Sequence, residues 1–238
     1  RCAILRVGEA VAANAGRQRR DHVTDHLVTQ TLPMIIGVAA IMSVGLIDAY
    51  FIGQLGSTEL AAISFVFPIA VVLSSLGVGV MVGINSVVAR SLGSGDQDRA
   101  ASCGNIGIAF AVLLGIVMGA VLYALLDPLF TLMQADSQTL PIIRTYMEPY
   151  ALGFPLMMVI MGVNGVMRGQ GEARKTSYVS ISFSVANWIL DPILITGAFG
   201  FEGYGIAGAA YATNTGWALA ILLALFLLKR TDLPFNPA

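Results

Sequence analysis

The 238 residues are 56% hydrophobic and only 11% charged, with a mean hydropathy of +0.79. Soluble domains carry about a quarter charged residues, so too few remain here to clothe a water-facing surface, and the chain reads as an integral membrane protein. A formal net charge of −1 supplies no field that would draw nucleic acid.

The N-terminal segment, 1–29, holds five arginines and no sustained apolar core followed by a small-residue cleavage site. No cleavable signal peptide is expected, and a start at Arg1 rather than Met leaves the natural beginning open. In "RDHVTDHLVTQ", His22 and His26 are four apart and could share a metal, although an interfacial lead-in helix is the plainer reading. Residues 1–20 show no clear pattern.

A helix needs about 20 apolar residues to cross a bilayer. The first candidate, 31–51, qualifies once a single acid, Asp48, is allowed. Stretches 60–89, 106–126 and 149–167 follow, all free of charge. The fifth, 177–197, contains Asp191, and the sixth, 206–228, is again uncharged. Six spans predict an all-α bundle over 30–230. The pairs Gly79/Gly83 and Gly115/Gly119 have the G-x-x-x-G spacing that lets helix backbones approach.

The short connections carry the orientation. Twelve of the thirteen basic residues fall in the N-terminal segment or after spans two, four and six; only Arg144 falls on the other side. The positive-inside rule then makes both termini cytoplasmic in a multi-pass protein of the plasma (inner) membrane.

Gly93-Ser94-Gly95-Asp96 and Gly169-Gln170-Gly171 follow no strand and lack a P-loop lysine and hydroxyl, so they read as turns. Cys2 and Cys103 fit no metal or disulfide spacing. No nucleophile triad or metalloprotease motif is visible, and no enzymatic activity is expected.

The polar residues inside the spans carry the functional signal. A carboxylate at mid-membrane costs about 2.5–3.5 kcal/mol on insertion scales and usually faces a partner or a water-filled cavity. Asp48 and Asp191 each lie six residues before the outer end of their spans, roughly 9 Å deep, and Thr213 lies about 10 Å below its own. Three helices thus bring polar groups to one layer. Asn187 stacks one turn before Asp191, and Pro192 leaves the carbonyl of Trp188 without its helical donor. An oxygen-rich patch of this kind suits a hard cation, and the same acids could carry a proton instead. The plainer alternative makes Asp191 a helix-to-helix hydrogen-bond partner and Pro192 a simple kink.

Four stretches resemble a known family. "TLPMIIGVAAIMSVGLIDAYFIGQLGSTELAAIS", "VVARSLGSGDQDRA", "VMRGQGEARKT" and "NWILDPILITGAFGFEGYGIAGAAYAT" are similar, in this order and at these helix boundaries, to the N-terminal half of multidrug and toxic compound extrusion (MATE) transporters. The resemblance implies one six-helix lobe of a twelve-helix secondary antiporter. Such proteins export lipophilic, often cationic compounds in exchange for H+ or Na+. It places the coupling-cation site at Asp48, Asn187, Asp191 and Thr213, with helix kinks at Pro33 and Pro192. Tyr146 and Asn164 are weaker substrate or coupling candidates. Val44 stands where some members have an aromatic residue. No cofactor is implied, and no metal beyond Na+ at the four cation-site residues.

The tail 231–238 resembles the start of an inter-lobe linker, so the partners implied are a small cationic substrate, the bilayer, and a second lobe or second copy. A lipid-linked saccharide flippase ranks second, because spans without lysine or arginine offer no basic cavity for pyrophosphate. An integral membrane lipid enzyme would need an interfacial catalytic cluster that the sequence does not display.

Overall fold

A computed structural model describes residues 31–230 except 34, 198, 199 and 201. The N-terminal segment with His22 and His26, and the linker-like tail, lie outside the described residues. Seven helices and no strands occur among the described residues: α1 Thr31–Leu55, α2 Ser57–Gly93, α3 Gln97–Ala124, α4 Leu126–Leu132, α5 Thr139–Gly169, α6 Ala173–Thr196 and α7 Ile206–Leu228. All but α4 are long and apolar enough to cross a membrane.

Several helices outrun the apolar stretches that announced them. Span three was expected from 106 and span four from 149, but α3 begins at Gln97 and α5 at Thr139. Polar first turns are held by side chains rather than by lipid. Asp96 accepts a hydrogen bond from the Arg99 amide at 2.9 Å, and Asp136 accepts from the Thr139 amide at 2.6 Å. Arg144 and Arg168 therefore fall inside α5, near its two ends, although the apolar middle carries no basic residue. The break after Ala124 also has a local cause. Pro128 has no N–H for the Ala124 carbonyl, so the chain restarts as the short α4 with the proline in its first turn.

Helix α5 is the axis of the bundle. Its most apolar stretch is 72% buried, whereas in the other five spans that share is 22–39%. Phe154, Met147, Met158 and Met167 are fully enclosed there. Leu46, Met42, Phe67, Ile106 and Leu113 on α1 to α3 point outward, as expected when the surrounding solvent is hydrocarbon.

The two glycine pairs behave differently. A Cβ at Gly115 would lie 2.9 Å from Pro155 Cα, and one at Gly119 would lie 2.6 Å from the Ala151 carbonyl oxygen, so α3 seats on α5 through this pair. Nothing lies within 4 Å of a Cβ at Gly79 or Gly83. Their expected helix contact is absent among the described residues; Gly77, flanked by Met157 and Met161 at 3.1 Å, meets α5 instead.

The turn glycines hold. Gly95 and Gly171 take φ of 79° and 80°, a left-handed conformation other residues rarely adopt. Up-and-down topology gathers Arg90, Arg99, Arg174, Lys175 and Arg230 at one end, where Lys175 Nζ reaches the Arg230 carbonyl at 3.3 Å. At the other end Arg144 pairs with Glu148 at 2.6 Å and with Asp127 at 3.4 Å.

Candidate functional site

The polar layer assembles where α1, α6 and α7 meet. Helix α1 rests on α6 toward the basic end, with a Cβ at Gly37 falling 3.4 Å from Ser177. Farther along the same pair, the carboxyls of Asp48 and Asp191 come within hydrogen-bonding reach of one another. Asp191 is buried and Asp48 half-buried. Asp48 Oδ1 and both Asp191 oxygens are enclosed without a protein hydrogen-bond donor among the described residues. Ionised carboxylates only accept hydrogen bonds, so with both acids ionised the pair would bring negative charge together with no balancing donor among the described residues.

One turn along α6, Asn187 is fully enclosed and accepts from Thr213 Oγ1 of α7 at 3.4 Å. Its amide nitrogen turns back to the Phe183 carbonyl at 2.9 Å. All four sequence-predicted cation-site residues therefore meet across three helices. Helix α6 continues through Pro192 to Thr196, so the proline removes a hydrogen bond without ending the helix. The donor set is all oxygen on the acid side: three carboxylate atoms, an amide oxygen and a hydroxyl. Such a set can hold a proton between two carboxyls or a small hard cation.

The remaining candidates separate by position. Tyr146 is buried and close enough to feel the charges of both Asp48 and Asp191, which joins it to the layer. Asn164 lies eighteen residues farther along α5, about 27 Å from Tyr146 along the axis. It is buried, its Oδ1 has no hydrogen-bond partner among the described residues, and it lies outside the cluster. Pro33 is in the first described turn of α1, fifteen residues or about 22 Å from Asp48, so a kink there would not be at the site. Val44 is buried one turn from Asp48 and contributes only packing.

Two supports were not anticipated. Gly216 of α7 faces Asn187, and any Cβ there would overlap the amide nitrogen. Asn214 donates from Nδ2 to the Pro149 carbonyl of α5 at 2.7 Å, in space left by Gly153. An asparagine beside Thr213 in an otherwise apolar span was the available signal for the second. From Tyr146 a chain of rings runs through Tyr150 and Trp217 to Phe183 with centroids 5.4–6.5 Å apart, stacked at its two ends and edge-on between Tyr150 and Trp217.

Comparison with known proteins identifies the family of the chain and of its fold. A family profile described as MatE matches residues 33–193. The chain is 37% identical over 206 residues to a FAD transporter of Shewanella oneidensis, covering 85% of this chain and 45% of that protein. It is 29% identical over 205 residues to the multidrug export protein MepA of Staphylococcus aureus, covering 85% and 44%. A solved multidrug resistance MATE family transporter of the MOP superfamily, in an outward-facing conformation, superposes with a TM-score of 0.79 at 28% identity, covering 89% of this chain and 48% of that one. The chain belongs to the multidrug and toxic compound extrusion (MATE) family and spans about half the length of the relatives it matches.

Proposed function

We propose that this chain forms one six-helix lobe of a secondary antiporter that exports small lipophilic cations in exchange for H+ or Na+, bound at Asp48, Asn187, Asp191 and Thr213. The single observation that carries the reading is the facing pair of carboxyls, Asp48 and Asp191, with no donor to their enclosed oxygens among the described residues. A buried acid pair between two membrane helices is expensive to keep unless a travelling cation uses it. The coupling ion neutralises the pair and lets α1 and α6 settle together. The bend near Pro192 adjusts, because the unpaired Trp188 carbonyl weakens α6 there. A cationic substrate competes for the same negative charge, so the lobe holds ion or substrate but not both, which is the requirement for exchange.

The basic end of the bundle faces the cytoplasm of the inner membrane in this reading. A second six-helix lobe, or a second copy, closes the substrate cavity. No cofactor beyond the coupling ion is invoked.

The test is gradient-driven transport by the complete transporter in proteoliposomes. Under an imposed pH or Na+ gradient the wild type accumulates a cationic dye, and Asp48→Asn and Asp191→Asn each lose at least tenfold of that rate. Wild-type rates in both variants would sink the proposal. The higher identity to a protein named as a FAD transporter favours a second cargo, a flavin dinucleotide. Competition of FAD against the dye in the same vesicles decides between them.

A further inference from the structure

We propose that the groove between α2 and α3 seats an acyl chain of an anionic phospholipid whose headgroup is held by Arg90 and Arg99. The Gly79/Gly83 pair, which would ordinarily receive another helix, forms the floor of an open groove of about 780 Å³. Cys103, Ile106 and Phe110 of α3 supply the facing wall, and Ile106 and Phe110 remain 69% and 54% exposed. The α2 wall runs from Ser75 to Val87, twelve residues or about 18 Å. That is close to the depth of one leaflet's hydrocarbon, about half of the 30 Å core.

The charge lies at one mouth only. Arg90 follows Val87 by three residues and Gly83 by seven, and Arg99 precedes Cys103 by four, so helical periodicity continues both walls into an arginine. Both arginines are exposed, and neither forms an ion pair among the described residues. Basic groups between membrane helices on the cytoplasmic side bind anionic headgroups. An apolar channel one leaflet long, ending in two exposed guanidinium groups that make no ion pair with the neighbouring Asp96 and Asp98 among the described residues, offers a phospholipid both a groove for its acyl chain and cations for its headgroup. Only the choice of the inner leaflet rests on the orientation proposed above.

The test uses the complete transporter, delipidated in mild detergent and titrated with phosphatidylglycerol or phosphatidylcholine of identical acyl chains. Bound lipids are counted by native mass spectrometry. The wild type is expected to retain one phosphatidylglycerol at least fivefold more strongly than phosphatidylcholine. The Arg90→Gln/Arg99→Gln double variant should lose that preference. Gly83→Leu, whose Cβ meets open space and whose side chain would fill the groove, should lose the retained lipid while its melting temperature is unchanged. Equal retention of the two lipids by the wild type overturns the proposal, as does a preference that survives loss of both arginines. Cross-linking of Cys103 to Cys103 between copies in native membranes would also overturn it, because a second copy would then fill the groove. None of these readings depends on transport.

Discussion

Gly216 of α7 stands against the Asn187 amide of α6 so closely that a single methyl group would occupy the amide's place. The same amide receives Thr213 one turn away on α7, so Gly216 sets how near α7 can come to the polar layer. Gly216→Ala should destabilise the protein by about 1–3 kcal/mol through overpacking and weaken coupling-ion affinity. Pairing it with Asn187→Ala should recover part of the stability, because the clash disappears with the amide. Thermal unfolding of the four proteins of this cycle measures the coupling; strict additivity would show that the two residues do not press on each other.

Asn214 ties α7 to the central helix through the Pro149 carbonyl at 2.7 Å. Interhelical hydrogen bonds in membranes average about 0.6 kcal/mol and reach about 1.7. Asn214→Ala should therefore lower stability by about 1 kcal/mol. Gly153→Ala should do more, since its methyl group would displace the whole Asn214 side chain. Unfolding titrations in mixed micelles check both, and a neutral Gly153→Ala would show that Asn214 can leave without consequence.

The contrast between these supports and the acids explains what could be read from the residues alone. Asp48 and Asp191 stood out because a charge inside an apolar run is costly and rare, and simple helical rise put them at one depth. The six spans were visible for the same reason, and α7 begins and ends where hydropathy placed it. Gly216 and Gly153 gave no such signal, because a glycine's role depends on the residue that faces it from another helix. Hydropathy also misjudged the starts of α3 and α5, where Asp96 and Asp136 hold polar turns that no lipid argument detects. Spacing alone treated Gly79/Gly83 and Gly115/Gly119 as equals, although only the second pair meets a neighbour.

That inequality is directly testable. Gly119→Ala would push a methyl group to 2.6 Å from the Ala151 carbonyl oxygen, which Pro155 already deprives of its helical donor. The two helices must separate, at a cost of about 1–3 kcal/mol. Gly79→Ala meets open space and should be neutral or stabilising by a few tenths of a kcal/mol up to about 1, through helix propensity. Melting temperatures of the two single variants in the same detergent decide it; equal losses would mean that both pairs bury against a helix.

The start of α5 should be sensitive to acid. Hydrogen bonds from the Thr139 side chain and amide, and from the Gln138 amide, hold the exposed Asp136 carboxyl below its ordinary value. Its ionised form is thus favoured in the folded state. The stabilisation is complete at neutral pH, above the unfolded value, and is lost as pH falls through the depressed folded value. Hydrogen exchange at Thr139 and Leu140, corrected for intrinsic rates, should accelerate below about pH 4 while the middle of α5 stays protected. Asp136→Asn keeps an acceptor oxygen but cannot titrate, so its exchange should not depend on acid. Asp136→Ala should exchange faster at every pH. An acid response that persists in Asp136→Asn would assign the effect to another group and remove Asp136 as the cap of the central helix.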